Sequence, residues 1–315
     1  MNRIPGAPPE DLNQNPAAFD QEDLALADNP TILPTDIESY IIEAWQKGLI
    51  GRQFLGFRGN QGPIIMVRRE QAPTGGVNWI NEKGGWRKID FKHAREQAKI
   101  EPYGVYFDIT RDELDFSNVT SIARNVQRAT YEMSAFADAL IYTEIIEKCA
   151  KVHGTFWNVY TGDTKGDPIT DLGQAKVTMK TATKQAFSPD TCIMSDLMDL
   201  RLKGFDYIKN QLYNNQGATQ GGFVATGSVG PRIADMDIAY DPASDPADAG
   251  QVICLRSKLI GDWVETRPLQ ITFVEGKYLG DPNIAWRYWL QEQGRPAIEA
   301  PDLGVVLDQL KYTAG

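Results

Sequence analysis

Histidine occurs twice in 315 residues and cysteine three times, so the side chains that most often bind transition metals or move protons near neutral pH are nearly missing. His93 and His153 lie apart from any nucleophile motif and from metal-ligand spacing, and both read as surface or structurally satisfied histidines. Cys149, Cys192 and Cys254 are odd in number, widely separated and without C-x-x-C spacing, which suggests neither a disulfide framework nor a zinc site and favours buried free thiols. No G-x-G-x-x-G opens a helix after a strand and no G-x-x-x-x-G-K is present, so the glycine pairs at 75–76, 84–85 and 221–222 read as turn residues. Apolar runs long enough to cross a bilayer, about 20 residues, are missing, and residues 1–10 lack the basic start and apolar stretch of a signal peptide. A soluble chain made in the cytoplasm is expected.

Acidic residues are plentiful but unorganised for chemistry. Asp163, Asp167 and Asp171 recur at four-residue spacing, and Asp235, Asp237, Asp241, Asp245 and Asp248 cluster in one stretch. Calcium needs about six to eight converging oxygens, and neither group matches the EF-hand pattern, so both read as solvated acidic loops. Among 42 acids no pair is singled out for acid–base work. No catalytic, metal or cofactor site is therefore expected.

What is present is an ordinary globular composition, 42% apolar and 23% charged, sufficient for one or two domains. Residues 1–34 differ: they hold six of the 18 prolines and six acids against the single Arg3, and read as a segment without a core, either an extended arm or a disordered tail. A first helix follows, with Thr35 and Glu38 in capping-box spacing, Ile37, Tyr40, Ile41 and Ala44 on one face, and Gly48 at its stop. From 63 to 108 the pattern becomes strand-like, with 64–67 and 86–91 flanking a glycine turn at 81–85. Between 68 and 101 stand eight Lys and Arg residues against five acids, a basic hairpin in a protein of formal charge −10. A charged hairpin bearing Trp79 and Trp86 has little to pack on in its own fold, which makes it a candidate for lying on a partner, the other reading being a hairpin folded flat on its own domain.

Residues 103–109 alternate like a strand and lead into the longest periodic stretch. Val119, Ile122, Ala123, Val126, Met133, Phe136, Leu140, Ile141 and Ile145 predict one helix over about 117–151, roughly 50 Å long at 1.5 Å per residue. Such a helix spans a globule of this size and acts as a spine. Beyond Gly154 the texture is α/β: a helix after Asp171, a strand at 191–194, a helical pattern over 196–213, a Gly, Asn and Gln loop at 214–222, and an acidic turn region at 235–248. Two alternating runs follow, 269–273 and 284–290, joined by the exposed tip 276–283.

This order resembles the major capsid protein of tailed double-stranded DNA bacteriophages, with the fold named after bacteriophage Hong Kong 97. Residues 103–115 (YGVYFDITRDELD) resemble the strand entering the spine helix, and 136–149 (FADALIYTEIIEKC) its second half. Residues 188–195 (SPDTCIMS) are similar to the strand opening the axial domain, and 268–307 to the closing strands of the peripheral domain. The resemblance implies an α+β fold divided into an N-terminal arm over 1–34, the start of the peripheral domain over 35–67 and an extended hairpin loop over 68–99. Next come the peripheral domain with its spine helix over 100–154, an α/β axial domain over 155–260, and closing strands of both domains over 261–315.

It further implies a virion shell assembled in the host cytoplasm from pentamers and hexamers, with arm and hairpin lying across neighbouring subunits. A core helix beginning by about residue 35 leaves no room for a long scaffolding region, so a separate scaffolding protein is implied, with portal and decoration proteins as further partners. Double-stranded DNA would be enclosed without sequence-specific binding, and the formal charge of −10 argues against a broad nonspecific grip on its phosphate backbone as well. The intersubunit candidates are Trp79, Lys83, Trp86, Arg87, Lys88, Lys277 and Asn283. Certain relatives join a hairpin lysine to an asparagine between the late strands. Lys83 and Asn283 occupy roughly those places, although both residue types are common at turn tips. Two alternatives stand beside this reading: an encapsulin-like compartment holding a cargo enzyme, favoured less because of the proline-rich acidic arm, and a soluble enzyme without a short motif.

Overall fold

The computed structural model describes residues 34–60, 62–70, 93–115, 119–155, 157, 166–203, 205, 232–244, 250–280 and 283–310. In chain order the elements are α1 (Pro34–Gly48), β1 (Gly56–Gly59), β2 (Ile64–Glu70), β3 (His93–Lys99), β4 (Pro102–Thr110), α2 (Arg111–Asp115), α3 (Val119–Lys148) and β5 (Ala150–His153). Then follow α4 (Pro168–Ala182), β6 (Thr191–Met194), α5 (Asp196–Lys203), β7 (Arg232–Ile233), β8 (Met236–Tyr240), β9 (Val252–Leu255), β10 (Gly261–Glu275), β11 (Ile284–Ile298) and β12 (Gly304–Asp308). Of the expected arm over 1–34 only Pro34 is described, and it begins α1 instead; residues 1–33, the stretch 71–92 and the loop 214–222 lie outside the described residues. Among the described residues no helix is long and apolar enough to cross a membrane.

Three sheets form. One has the order β1-β10-β11-β4, a second β5-β12-β9-β6-β8-β7, and the third is the isolated pair β2-β3. The 30 residues of α3 make a rod of about 45 Å, and β10 and β11, 15 residues each, run a comparable length at roughly 3.3 Å per residue. The buried stripe Ile122, Val126, Met133, Ala137, Ile141 and Ile145 of α3 meets Ile37, Ile41 and Trp45 of α1, and Tyr288 and Leu290 of β11.

Strands β6, β9 and β12 read as unbroken apolar runs because both faces of the six-stranded sheet are covered. Ile193, Ile253, Leu255 and Val306 face the spine-helix core, while Cys192, Met194, Val252, Cys254, Val305 and Leu307 face a second core that includes Leu172, Ala175 and Met179 of α4. The sheet is thus shared between two cores.

The acidic stretches are not simply solvated loops. Asp167 accepts from the Ile169 and Thr170 amides as the cap of α4, with Pro168 following. Asp171 is buried, and its Oδ2 accepts from Trp157 Nε1 at 2.8 Å and from Thr155 N and Oγ1 at 2.9 and 2.7 Å. Asp241 is likewise buried, held by Tyr142 Oη at 2.7 Å. Each acid occupies a hydrogen-bond socket that composition cannot reveal. His153 is a surface residue, with Nδ1 2.6 Å from Asp308.

Candidate intersubunit surface

The β2–β3 pair is antiparallel, with Ile64 opposite Lys99, Met66 opposite Gln97, Arg68 opposite Arg95, and Arg69 opposite Ala94. The Pro63 carbonyl accepts from the Ile100 amide at 2.8 Å and closes the base of the pair. Because side chains alternate across a strand, the two faces differ sharply in what they carry. Ile65 and Val67 turn inward and pack with Ile100, Val264 and Ala297. Arg69 on the same face is neutralised by Glu96 at 2.6 Å, and Glu96 in turn lies 3.9 Å from Lys148 at the end of α3. Arg295 adds a second tie, to the Lys99 carbonyl at 3.2 Å and to Glu144 at 3.5 Å.

The outward face has the opposite character. Ile64 is 59% exposed and Met66 46%, and beyond them Arg68 and Arg95 stand directly opposite one another with both side chains exposed. Lys99, on the first rung of that face, reaches Glu101 at 3.0 Å, and this ion pair holds the exposed Glu101 carboxyl below its usual range. Like charges facing each other across a ladder are unfavourable within one molecule. The hairpin therefore sorts its charge by side: the inner arginine is paired internally, and the outer pair presents two positive charges beside an apolar strip. Composition over 68–101 indicates the surplus, but only the register reveals which arginines share a face.

A second exposed patch lies on the four-stranded sheet, where Trp289 pairs with Tyr106 and Arg287 with Asp108. Arg287 donates twice to Asp108, at 2.5 and 2.6 Å, and its guanidinium sits 4.9 Å from the exposed Tyr106 ring. With its arginine already paired, this patch offers aromatic surface more than net charge.

Of the residues singled out from sequence, Trp79, Lys83, Trp86, Arg87 and Lys88 lie outside the described residues, and Lys277 and Asn283 are placed. Lys277 sits in the turn Gly276–Tyr278, ion-paired with Glu275, and its ammonium is 4.9 Å from the exposed Tyr278 ring. The hydrogen bond to Glu275 pushes the Lys277 pKa up, so its charge is satisfied locally. Asn283 is exposed immediately before β11, and its carbonyl accepts from the Arg111 amide at 2.9 Å.

A family model described as phage capsid protein matches residues 95–290. No curated protein matches the sequence. Among solved structures, the virus-like particle from Pyrococcus furiosus is similar over 87% of this chain and 98% of its own, with 15% identity and a TM-score of 0.57. The capsid of cyanophage P-SCSP1u is similar over 82% of this chain and 88% of its own, at 11% identity and a TM-score of 0.55. The holo-SrpI encapsulin complex from Synechococcus elongatus PCC 7942 is similar over 85% and 91%, at 13% identity and a TM-score of 0.54. At such identities these likenesses concern the fold.

Proposed function

The chain belongs to the phage capsid protein family, with the Hong Kong 97-type fold, and is a major capsid protein; we propose that its copies join through the outward face of the β2–β3 hairpin. The observation that carries this is the Arg68–Arg95 rung, a like-charge pair without a carboxylate partner among the described residues, which a neighbour's acids would supply. A protein of formal charge −10 presents such carboxylates on average wherever a second copy approaches. Trp79, Lys83, Trp86, Arg87 and Lys88, in the sequence between β2 and β3, are proposed to extend the same contact, with the tryptophans supplying its apolar part. The enclosed genome, the separate scaffolding, portal and decoration proteins, the pentamers and hexamers, and assembly in the host cytoplasm belong to this proposal. So does the division of labour between an axial domain over about 155–260 and a peripheral domain built on the spine helix. The subunit's role in it is structural rather than enzymatic.

Arg95→Glu separates the two readings of the hairpin. It places a carboxylate opposite Arg68, which should stabilise the isolated hairpin by roughly 0.2–1 kcal/mol while removing charge from the outward face. The subunit should unfold at the same or a slightly higher temperature, yet particle yield should fall severalfold. The double reversal Arg87→Glu and Lys88→Glu should act likewise at the tip. Raising salt should weaken assembly of the unmodified protein, within screening over about 8 Å at physiological ionic strength. Undiminished yield in both variants, by light scattering and electron microscopy, would exclude the hairpin as an electrostatic contact.

The proline-rich segment is proposed as a linking arm. Helix α1 begins at Pro34, and the Pro34 carbonyl accepts from Tyr288 Oη at 3.5 Å, so truncation before that residue leaves this anchor in place. Removing residues 1–33 should leave thermal unfolding of the subunit nearly unchanged while reducing closed shells. Loss of folded subunit on truncation would make the arm intramolecular.

A further inference from the structure

Two of the three cysteines face one another. Strands β6 and β9 are antiparallel with Cys192 opposite Cys254, and both thiols are fully buried on the same side of the six-stranded sheet, against α4. Directly opposed residues in such a ladder have Cα atoms about 4.5 or 5.5 Å apart, depending on which type of rung they occupy, and both values fall within the 4.4–6.8 Å that a disulfide spans. Their Cβ atoms, about 4.5–5.5 Å apart, would need to close by roughly 1 Å to reach the disulfide range. Cys149 is kept out of this pairing. It caps the end of α3 in the other core, under Gly304, where an added Cβ would stand 2.5 Å from its sulfur.

We infer that Cys192 and Cys254 form a latent cross-strand disulfide site that is reduced when the subunit is made and oxidises afterwards. The reaction removes one hydrogen from each sulfur and forms one S–S bond; the two electrons and two protons pass to a small disulfide such as oxidised glutathione, which leaves as two thiols. In the reduced sheet the thiols hydrogen-bond to one another, and this contact, with burial, raises the Cys192 pKa well above its ordinary value. Thiolate attack is correspondingly rare in the closed sheet, so the bond forms through local opening of the strands and slowly. Cytoplasmic thiol buffers keep such a pair reduced, whereas a particle outside the cell meets no such buffer. The timing rests on the shell reading above; the bond itself does not.

The test uses the full chain as free subunit, purified in reductant and then exposed to oxidised glutathione, with and without urea below the unfolding transition. Samples are denatured, alkylated with N-ethylmaleimide and mapped by peptide mass. The expected product is a single intramolecular link between the Cys192 and Cys254 peptides with Cys149 alkylated, formed severalfold faster in urea, and absent from Cys192→Ser. The oxidised subunit should melt at a higher temperature than the reduced one, and dithiothreitol should reverse the shift. Full alkylation of Cys192 and Cys254 at every time, a link through Cys149 formed equally fast, or a lowered melting temperature on oxidation would each overturn the inference. None of these outcomes bears on whether the protein forms shells.

Discussion

Raising the pH from about 5 to about 9 should lower the subunit's unfolding free energy by several kcal/mol, and Asp138→Asn should flatten that loss. Asp138, on the buried face of α3, accepts from the Gly51 and Ile50 amides at 2.9 and 3.2 Å. It also hydrogen-bonds Asp241, which accepts from Tyr142 Oη at 2.7 Å and the Ala243 amide at 2.9 Å. Two buried carboxyls in contact cannot both ionise, so one proton stays between them. Burial first, and Asp241 second, push Asp138 up to about 8, and Asp241 is raised in the same direction. Arg52 opposes the shift at Asp138, while Asp196 adds to it at Asp241.

The unfolded chain releases these protons near pH 4, so from there to about pH 8 the folded subunit holds more protons than the unfolded one. The pair's contribution is complete below about pH 4 and declines by up to roughly 1.4 kcal/mol per pH unit until the folded value is passed. An amide at 138 keeps an acceptor for the Gly51 amide and can donate to Asp241, at the cost of the acceptor that serves the Ile50 amide, and it has no proton to lose. Urea unfolding at pH 5, 7 and 9 followed by circular dichroism provides the measurement. Equal slopes for the two proteins would show that the pair does not titrate in this window. Glu113 works in the opposite sense: hydrogen bonds from Ser121, Thr110 and Asn125 outweigh burial and hold its pKa below the usual range. Its contribution is lost on the acid side.

Arg52→Ala should cost about 3–5 kcal/mol, among the largest single-residue effects in the chain, because it strands a buried charge. Arg52 Nη2 lies 2.7 Å from Glu292 on β11, whose side chain is 1% exposed. Tyr103 Oη on β4 donates to the same carboxylate at 2.8 Å and accepts from Arg52 at 2.8 Å. The guanidinium is 4.0 Å from the centre of the Trp263 ring and 5.3 Å from that of Trp45, so apolar surroundings leave Glu292 little else to bind. Replacing both partners with apolar residues, Arg52→Met with Glu292→Leu, should recover most of the loss. A double variant as unstable as Arg52→Ala would mean that the cost lies in packing around the tryptophans instead of in the stranded charge.

Those buried sockets are the part of the molecule that the sequence conceals. The spine helix is legible because its apolar residues keep helical spacing, and the structure places it at Val119–Lys148 inside the expected 117–151. Helix α1, the strand 191–194 and the fold family are legible for similar reasons. The late strands read as runs of five and seven residues, yet each extends to 15. In the first of them Pro268 interrupts the alternation, and the ladder absorbs it in register shifts between Glu265 and Gln270. Sequence also gives no warning that Cys192 and Cys254 become neighbours, since their separation of 62 positions carries no pattern, nor that Asp138 and Asp241 meet across the fold. Tertiary pairing leaves local periodicity untouched.

The topology of the two large sheets decides when each strand, as it leaves the ribosome, can find its partner. Among the described strands, β1 pairs only with β10, β4 only with β11, and β5 only with β12. Gly56 therefore waits for Asp262, 206 positions later, which at about 5–20 residues per second is roughly 10–40 s of synthesis. The four-stranded sheet stays incomplete until β11 emerges, β5 has no partner until β12 follows, and for most of synthesis the spine helix lacks much of its floor. So high a contact order makes folding slow and leaves the nascent chain dependent on protection from aggregation. It also means that a partly synthesised subunit has no finished surface with which to join a growing shell.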